Sequence, residues 1–333
     1  MRFLFRHLLR LIIVLTVCAG ILAAGFDWWS KQPFTQSEVE FRVPAGSSLR
    51  AALGQMNAAG LEISADLFVL LARWQARTAA IKAGTYTTQA GETPRSLLEK
   101  LAAGKVSQGS ITLVEGWTFR QFRARLDAHP RLKHDSQGLT EAEIIGRLKL
   151  PIMHLEGRLL PDTYLFDLDS SDLEVIARAV RAMQRQLDQL WTQRPAGLPY
   201  RTADEALIMA SIIEKETGRE EDRAQVSAVF INRLRIGMRL QTDPTVIYGL
   251  GNDFNGNLRK IHLQTDSPYN TYTRAGLPPT PIAMPGMASL SAAFWPAQSK
   301  ALYFVARGDG SSHFSHTLDE HNRAVNKYQR GGR

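Results

Sequence analysis

Residues Ala210–Gly249 read ASIIEKETGREEDRAQVSAVFINRLRIGMRLQTDPTVIYG. The stretch opens as an apolar helix pattern and closes that pattern on two acids, Glu214 and Glu216. It then runs through Asn232-Arg233-Leu234 to a polar Gln241-Thr242-Asp243-Pro244-Thr245. A carboxyl at the end of an apolar helix is costly to ionise. One that stays protonated near neutral pH can give its proton to a leaving group. The pattern therefore points to an enzyme that breaks an acid-labile bond. The same letters also describe the solvated end of an ordinary helix stopped by Gly218.

Residues two apart on a helix point about 200° apart, so Glu214 and Glu216 cannot face one substrate together. Glu216 extends the stripe Ile208, Met209, Ile212 and Ile213. Glu214 extends Leu207, Ala210 and Ser211, which is smaller and more polar. Bulkier surroundings desolvate a carboxyl more. Glu216 is therefore the expected acid, and Glu214 the second choice or a supporting group.

Working outward, the region ahead of this helix holds a pattern that recurs three times. Val43-Pro44-Ala45-Gly46-Ser47-Ser48 leads into Leu49, Leu53 and Met56. Thr88-Gln89-Ala90-Gly91-Glu92-Thr93 leads into Pro94, Leu98 and Leu101. Val114-Glu115-Gly116-Trp117-Thr118 leads into Phe119, Phe122 and Leu126. Each is a β-rich run, a Gly turn and a Ser or Thr two residues later, followed by helical periodicity. Ser48, Thr93 and Thr118 are predicted N-caps, and Pro94 suits a first helical position. Ser64–Arg77 is predicted as a helix whose Leu67, Leu70, Leu71 and Trp74 form a core stripe. Thr140 with Glu143 predicts a capping box ahead of a helix over Glu141–Leu148. Asp172–Thr192 is a long amphipathic helix, and the acid-bearing helix begins near Thr202 or Asp204. From Gly249 to Pro296 the chain is rich in Gly, Pro, Asn and Thr, a composition of loops, which often carry binding groups. Leu302–Arg307 is a predicted strand.

At the N-terminus, Leu11–Phe26 carries no charge, Arg2, Arg6 and Arg10 precede it, and Trp28-Trp29 follow it. With Leu8 and Leu9 it reaches spanning length. The arginines place the N-terminus in the cytoplasm, and the Trp pair suits the far interface. Rival readings are a cleaved signal peptide ending in small residues at Ala23-Ala24-Gly25, and a lipoprotein through Cys18. Cys18 is the only cysteine, so no disulfide or Cys-held metal is available. The eight histidines show no HExxH or related spacing, so no metal and no cofactor is expected. The net charge is +8. That could suit an anionic polymer or membrane surface, but no nucleic-acid-binding motif is present, and nucleic acid is not an expected partner. Hydrophobic content of 44% over 333 residues leaves room for about two domains beyond the anchor.

The chain resembles the endolytic murein transglycosylase (YceG-like) family. The resemblance rests on Glu156-Gly157 with Pro161-Asp162-Thr163-Tyr164, on Ala210–Thr217 and Val229–Leu234, and on Leu240–Gly249 and Tyr269–Tyr272. It continues through Gly276–Pro279, Pro281-Ile282, Pro285-Gly286 and Tyr303–Val305. It implies non-hydrolytic cleavage of the β-1,4 bond between N-acetylmuramic acid and N-acetylglucosamine in nascent peptidoglycan strands. A 1,6-anhydro end forms, and strand elongation is limited. In such lyases the acid is typically a Glu followed by a small hydroxyl residue, as in Glu216-Thr217. Asn232, Gln241, Asp243, Thr245, Tyr248, Tyr269, Asn270 and Tyr272 are the glycan-binding candidates that the motifs imply.

The implied organisation is α+β in three parts. Residues 1–30 are a cytoplasmic N-terminus and single-pass anchor in the inner membrane, 31–110 a small LysM-like α+β module, and 111–333 a larger mixed α+β catalytic domain facing the periplasm. The module is either a glycan binder or a lobe packed beside the catalytic part. Peptidoglycan synthases are the protein partners the resemblance implies. Two other readings remain: a non-catalytic peptidoglycan-binding scaffold, and a hydrolase using Asp243 or Asp162 as a second carboxylate.

Overall fold

A computed structural model describes residues 2–36, 38–77 and 81–331, with side chains from Arg6 onward. Contacts divide the chain into two units, Met1–Gly109 with Leu165–Ser170, and Ser110–Tyr164 with Ser171–Arg333.

The first unit starts with helix α1 (Arg2–Ser30), followed by β1 (Glu40–Val43), α2 (Leu49–Ala58), α3 (Ala65–Trp74), β2 (Gly84–Thr87) and α4 (Pro94–Ala103). Over Arg6–Ser30, α1 is long and apolar enough to cross a membrane. β1 pairs antiparallel with β2, Glu40 opposite Thr87 and Val43 opposite Gly84. Phe41, Val43, Leu53, Met56, Phe68, Leu71, Tyr86, Leu97, Leu98 and Leu101 form its core. Phe26 and Trp29, at the C-terminal end of α1, pack against that core.

The predicted caps are in place. The Ser48 hydroxyl accepts from the Ala51 amide, and Thr93 and Thr118 complete capping boxes with Ser96 and Gln121. The glycines ahead of them share a left-handed φ of 77°, 78° and 73° at Gly46, Gly91 and Gly116, which favours a residue without a Cβ. The three sequence units are thus one local device used three times. The helix expected over Ser64–Arg77 is α3, but its burial differs from the expected core stripe. Phe68, Leu71 and Ala72 are buried, whereas Leu67, Leu70 and Trp74 are exposed. Phe68, not Leu67, leads the buried face, so Leu71 alone of the expected stripe enters the core and Leu67, Leu70 and Trp74 turn toward solvent.

β3 (Gln108–Leu113) pairs with β4 (Asp162–Asp167), and the division between units falls within this ribbon. The second unit holds α5 (Phe119–Asp127), α6 (Glu141–Leu148), α7 (Asp172–Gln193), α8 (Ala203–Glu216), α9 (Glu220–Arg235) and α10 (Asp243–Leu250). It ends with α11 (Lys260–Gln264), α12 (Met287–Phe294), the antiparallel pair β5 (Tyr303–Ala306) and β6 (Ser312–Ser315), and α13 (Leu318–Tyr328).

Every residue of α8 from Ala206 to Ile213 is buried. It forms the centre of a core shared with α9, α12 and parts of α7. An all-round buried helix has no polar face to steer it, so the two-stripe distinction drawn between Glu214 and Glu216 does not apply within α8. Their different fates are set at its end.

The loop-rich stretch Gly249–Pro296 also holds helix α12, which its composition does not signal. Its N-cap, Gly286, offers no side chain, and the Gly286 amide donates instead to the Glu214 carboxylate (3.1 Å). A cap supplied from 72 residues away leaves no local signal.

Candidate active site

Glu216 is the last residue of α8, half-buried at the edge of the core. Burial pushes its carboxyl above the usual range, and the nearby Asp243 adds to the rise. The Thr242 hydroxyl and the Arg233 guanidinium act against it. The Thr242 hydroxyl donates to Glu216 Oε1. Thr242 is also the N-cap of α10, yet it makes no capping bond with its side chain. A Thr directly ahead of Asp-Pro would ordinarily read as an N-cap whose hydroxyl serves the backbone. Here that hydroxyl is turned to the acid, the kind of local departure expected at a functional site.

Asp243, at the first position of α10, is exposed and accepts from the Tyr272 hydroxyl (2.5 Å). Arg233, on α9, is 8% exposed. Its fork donates to the carbonyls of Leu302 and Leu240 (2.7 Å each) and lies over the Tyr303 ring at 5.2 Å. Glu216, Thr242, Asp243, Tyr272 and Arg233 thus form one electrostatic group.

Glu214 takes another direction. Its carboxylate holds the Gly286 amide at the start of α12, favourable for a negative charge at a helix N-terminus.

Beside this group lies a cleft of about 770 Å³. Its lining includes Thr118, Glu156, Lys215, Pro244, Ile247, Tyr248, Phe254, Tyr269 and Ile282. Its buried acid is Glu156, 7% exposed. The Phe119 amide, at the start of α5, donates to both of its oxygens (3.1 and 3.2 Å). The Tyr248 hydroxyl donates to Oε2 at 3.1 Å. Burial nonetheless pushes Glu156 from an ordinary 4.5 up to about 7. The Tyr248 ring meets the Tyr269 ring edge-on at 4.9 Å, and the Tyr269 hydroxyl pairs with Thr280 (2.8 Å). A cleft with aromatic walls and a few placed polar groups suits a sugar, whose faces are apolar and whose rim is polar.

A raised carboxyl has a definite effect on stability. Below pH 4.5 Glu156 is protonated both folded and unfolded. Between 4.5 and about 7 only the unfolded chain releases the proton, so stability falls as pH rises through that window. The total loss is about 3 kcal/mol. Glu156→Gln is expected to remove this component, so the difference in denaturant-unfolding free energy between variant and wild type should grow in the variant's favour from pH 4.5 to 7.5. A difference that stays constant over that range refutes the assignment.

Gly157, the next residue, has φ +75°, and a Cβ there would overlap the Pro281 ring. Gly157→Ala should therefore cost about 2–3 kcal/mol through backbone strain and overpacking, read as a lowered thermal midpoint.

The other sequence-named residues divide by what their polar atoms already do. The Asn232 amide donates to the carbonyls of Ser299 and Ala301 (2.8 and 3.0 Å). The Asn270 amide donates to the carbonyls of His262, Leu263 and Thr265, and its oxygen accepts from the Tyr272 amide. Thr245 is fully buried and bonds to Thr242 O and the Thr271 hydroxyl. These three staple the loops. Gln241 is exposed at φ 49°. Asp162, on β4, is exposed, and its carboxylate accepts from the Thr163 amide. Glu156, Arg233 and Thr242 were not singled out from sequence, although each sits inside a quoted motif. Thr242's place as the residue before Asp-Pro was the available signal.

Among the described residues, Asp127, His134 and Asp172 bring potential metal ligands within 4.8 Å of one another. Asp172 there already accepts from the Ser136 amide and hydroxyl (3.0 and 2.6 Å), which ties the preceding loop to α7.

Residues 41–327 match the family model described as the YceG-like family. The chain is 33% identical over 313 residues to a Bacillus subtilis protein named endolytic murein transglycosylase, covering 88% of this chain and 86% of that one. A Streptococcus pneumoniae protein of the same name is 27% identical, over 85% of this chain but only 57% of its own length. The crystal structure of a yceG-like protein from Listeria monocytogenes superposes with a TM-score of 0.55 at 33% identity, covering 86% of this chain and 98% of that one. The match over residues 41–327 and the 33% identity to the B. subtilis protein show that the chain belongs to the YceG-like family.

Proposed function

We propose that this chain is an endolytic peptidoglycan lytic transglycosylase with Glu216 as its acid and base. The observation that carries the reading is the Glu216 carboxyl itself. It is held at the end of a buried helix, pushed toward its protonated form by burial, and met by the Thr242 hydroxyl on one oxygen. The names of the relatives from B. subtilis and S. pneumoniae support the same reaction.

Protonated Glu216 gives its proton to the glycosidic oxygen as the bond from C1 of N-acetylmuramic acid to that oxygen breaks. The resulting carboxylate then takes the proton of the C6 hydroxyl of the same sugar, whose oxygen closes on C1. No water enters, so one carboxyl performs both transfers and no second carboxylate flanking the bond is required. Thr242 steadies the carboxylate stage, and Arg233 keeps the acid from being held protonated too firmly to cycle.

Asp243, Tyr248, Tyr269, Tyr272 and Gln241 are proposed as glycan contacts, and Asn232, Thr245 and Asn270 as residues that hold the contacting loops. The proposed organisation is an inner-membrane anchor over residues 1–30 with its N-terminus cytoplasmic, a LysM-like module over 31–110, and a periplasmic catalytic domain over 111–333. The apolar length of α1 and the separate core around Phe68 and Tyr86 favour it. Partnership with peptidoglycan synthases belongs to the same proposal.

The test is mass spectrometry of purified glycan strands after digestion. Anhydro-muramyl ends are the expected product. Reducing ends would replace this reading with hydrolysis, and absence of both would replace it with a scaffold.

A further inference from the structure

Helix α3 carries an apolar stripe that its own core does not use. Leu67, Leu70 and Trp74 are 37, 51 and 60% exposed and follow one another at helical spacings of three and four, so they share one face. Single exposed apolar residues are ordinary, but three large ones in line mark a contact surface.

The stripe is continuous with α1. The Trp74 ring meets the Phe26 ring edge-on at 5.9 Å, and Phe26 stacks on Trp29 at 5.7 Å. Leu11–Phe26 is the uncharged part of α1, and its sixteen residues rise about 24 Å. A hydrocarbon core is about 30 Å thick, so Phe26, Trp28 and Trp29 fall at the level where the acyl chains give way to headgroups. Trp74, touching Phe26, is at that level too. Trp is the residue most at home there.

The charges beside the stripe are suited to the same surface. Arg73 is exposed in the last turn of α3, and Arg77 lies just beyond it. Arg77, Arg95 and Glu99 border one shallow depression with Trp74. Arg95 stands 3.9 Å from Asp27 of α1, and Asp66, at the far end of α3, is paired with Arg50 (2.9 Å). The end of α3 nearest to α1 is therefore the basic one, matching anionic lipid phosphates.

We propose that α3 docks the first unit onto the bilayer that α1 crosses, with Leu67, Leu70 and Trp74 at the headgroup–acyl boundary and Arg73 and Arg77 on the phosphates of anionic phospholipids. This rests on reading α1 as a retained membrane anchor. It gives the stripe a partner that the sequence pattern, taken as core, did not.

The test uses the full chain carrying Cys18→Ala, in vesicles of phosphatidylethanolamine and phosphatidylglycerol. A single environment-sensitive fluorophore is attached through Leu70→Cys, or through Leu22→Cys in the uncharged run of α1, with and without nitroxide-labelled lipid. The probe at 70 is expected to emit at shorter wavelength than in water and to lose about half its emission to nitroxide placed near the headgroups, the depth of an interfacial helix. Water-like emission at 70 with strong lipid quenching at 22 overturns the proposal and leaves the anchor standing. A blue-shifted but unquenched probe at 70 also overturns it, since a protein surface such as a second copy would then cover the stripe. An unquenched probe at 22 removes the anchor and the proposal with it.

Discussion

Glu216→Gln is expected to abolish formation of anhydro-muramyl ends, lowering the rate by about a thousandfold or more, within the range that a positioned acid and base supply. Glutamine keeps the shape and still offers an oxygen to the Thr242 hydroxyl, but it has no proton to give and no carboxylate to take one back. Folding should be preserved or slightly improved. Burial raises the Glu216 carboxyl, so the folded protein holds this proton more tightly than the unfolded chain does. Stability from this group is fully present below its unfolded value and is lost as pH rises through the folded one. A neutral amide escapes that loss. The check pairs product analysis with thermal unfolding at neutral pH. A variant that still produces anhydro ends at more than a few per cent of the wild-type rate removes Glu216 from the role of acid. A variant that has merely unfolded shows itself in the second measurement.

Arg233→Leu should give the largest loss of stability, with a second effect on the acid. The guanidinium is buried and holds two backbone carbonyls, Leu240 and Leu302. Leucine fills part of the space and leaves both carbonyls unpaired, which costs about 3 kcal/mol. The positive charge also lowers the Glu216 pKa. Without it, the pKa rises further and the protonated acid persists to higher pH, so the alkaline limb of the kcat/KM profile moves upward. Arg233→Lys separates the two effects. It retains the charge, so the limb should stay near its wild-type position. It loses the planar fork, so the denaturation midpoint should still fall. If the leucine variant shifts stability but leaves the limb in place, Arg233 is a packing residue only.

Much of the local architecture was legible because its causes are local. Ser48, Thr93, Thr118 and Thr140 each satisfy an amide within their own first turn, and such bonds depend on spacings that can be read from the chain. The helix ending in the two acids was legible from its apolar run, and the argument that its acids point apart needed only helix geometry. The exposure of Leu67, Leu70 and Trp74 was not legible. A stripe on a helix shows that a face is apolar, and only the neighbouring α2 and α4 show which of two apolar faces the core accepts. Glu156 was visible as part of a motif but not as a buried acid, because its burial and its bonds to Phe119 and Tyr248 come from residues 37 and 92 positions away.

The sequence by itself determined that this chain has a helix of spanning length, a thrice-used strand–turn–helix start, and two acids at a buried helix end that cannot act together. Each follows from steric and hydrogen-bonding rules that operate within a few residues. Only the tertiary structure decided what each acid does. Glu214 caps α12 at a separation of 72 residues, and Glu216 receives the Thr242 hydroxyl at a separation of 26. A carboxyl's proton affinity is set by the groups packed around it, and that packing exists only once distant segments have been brought together.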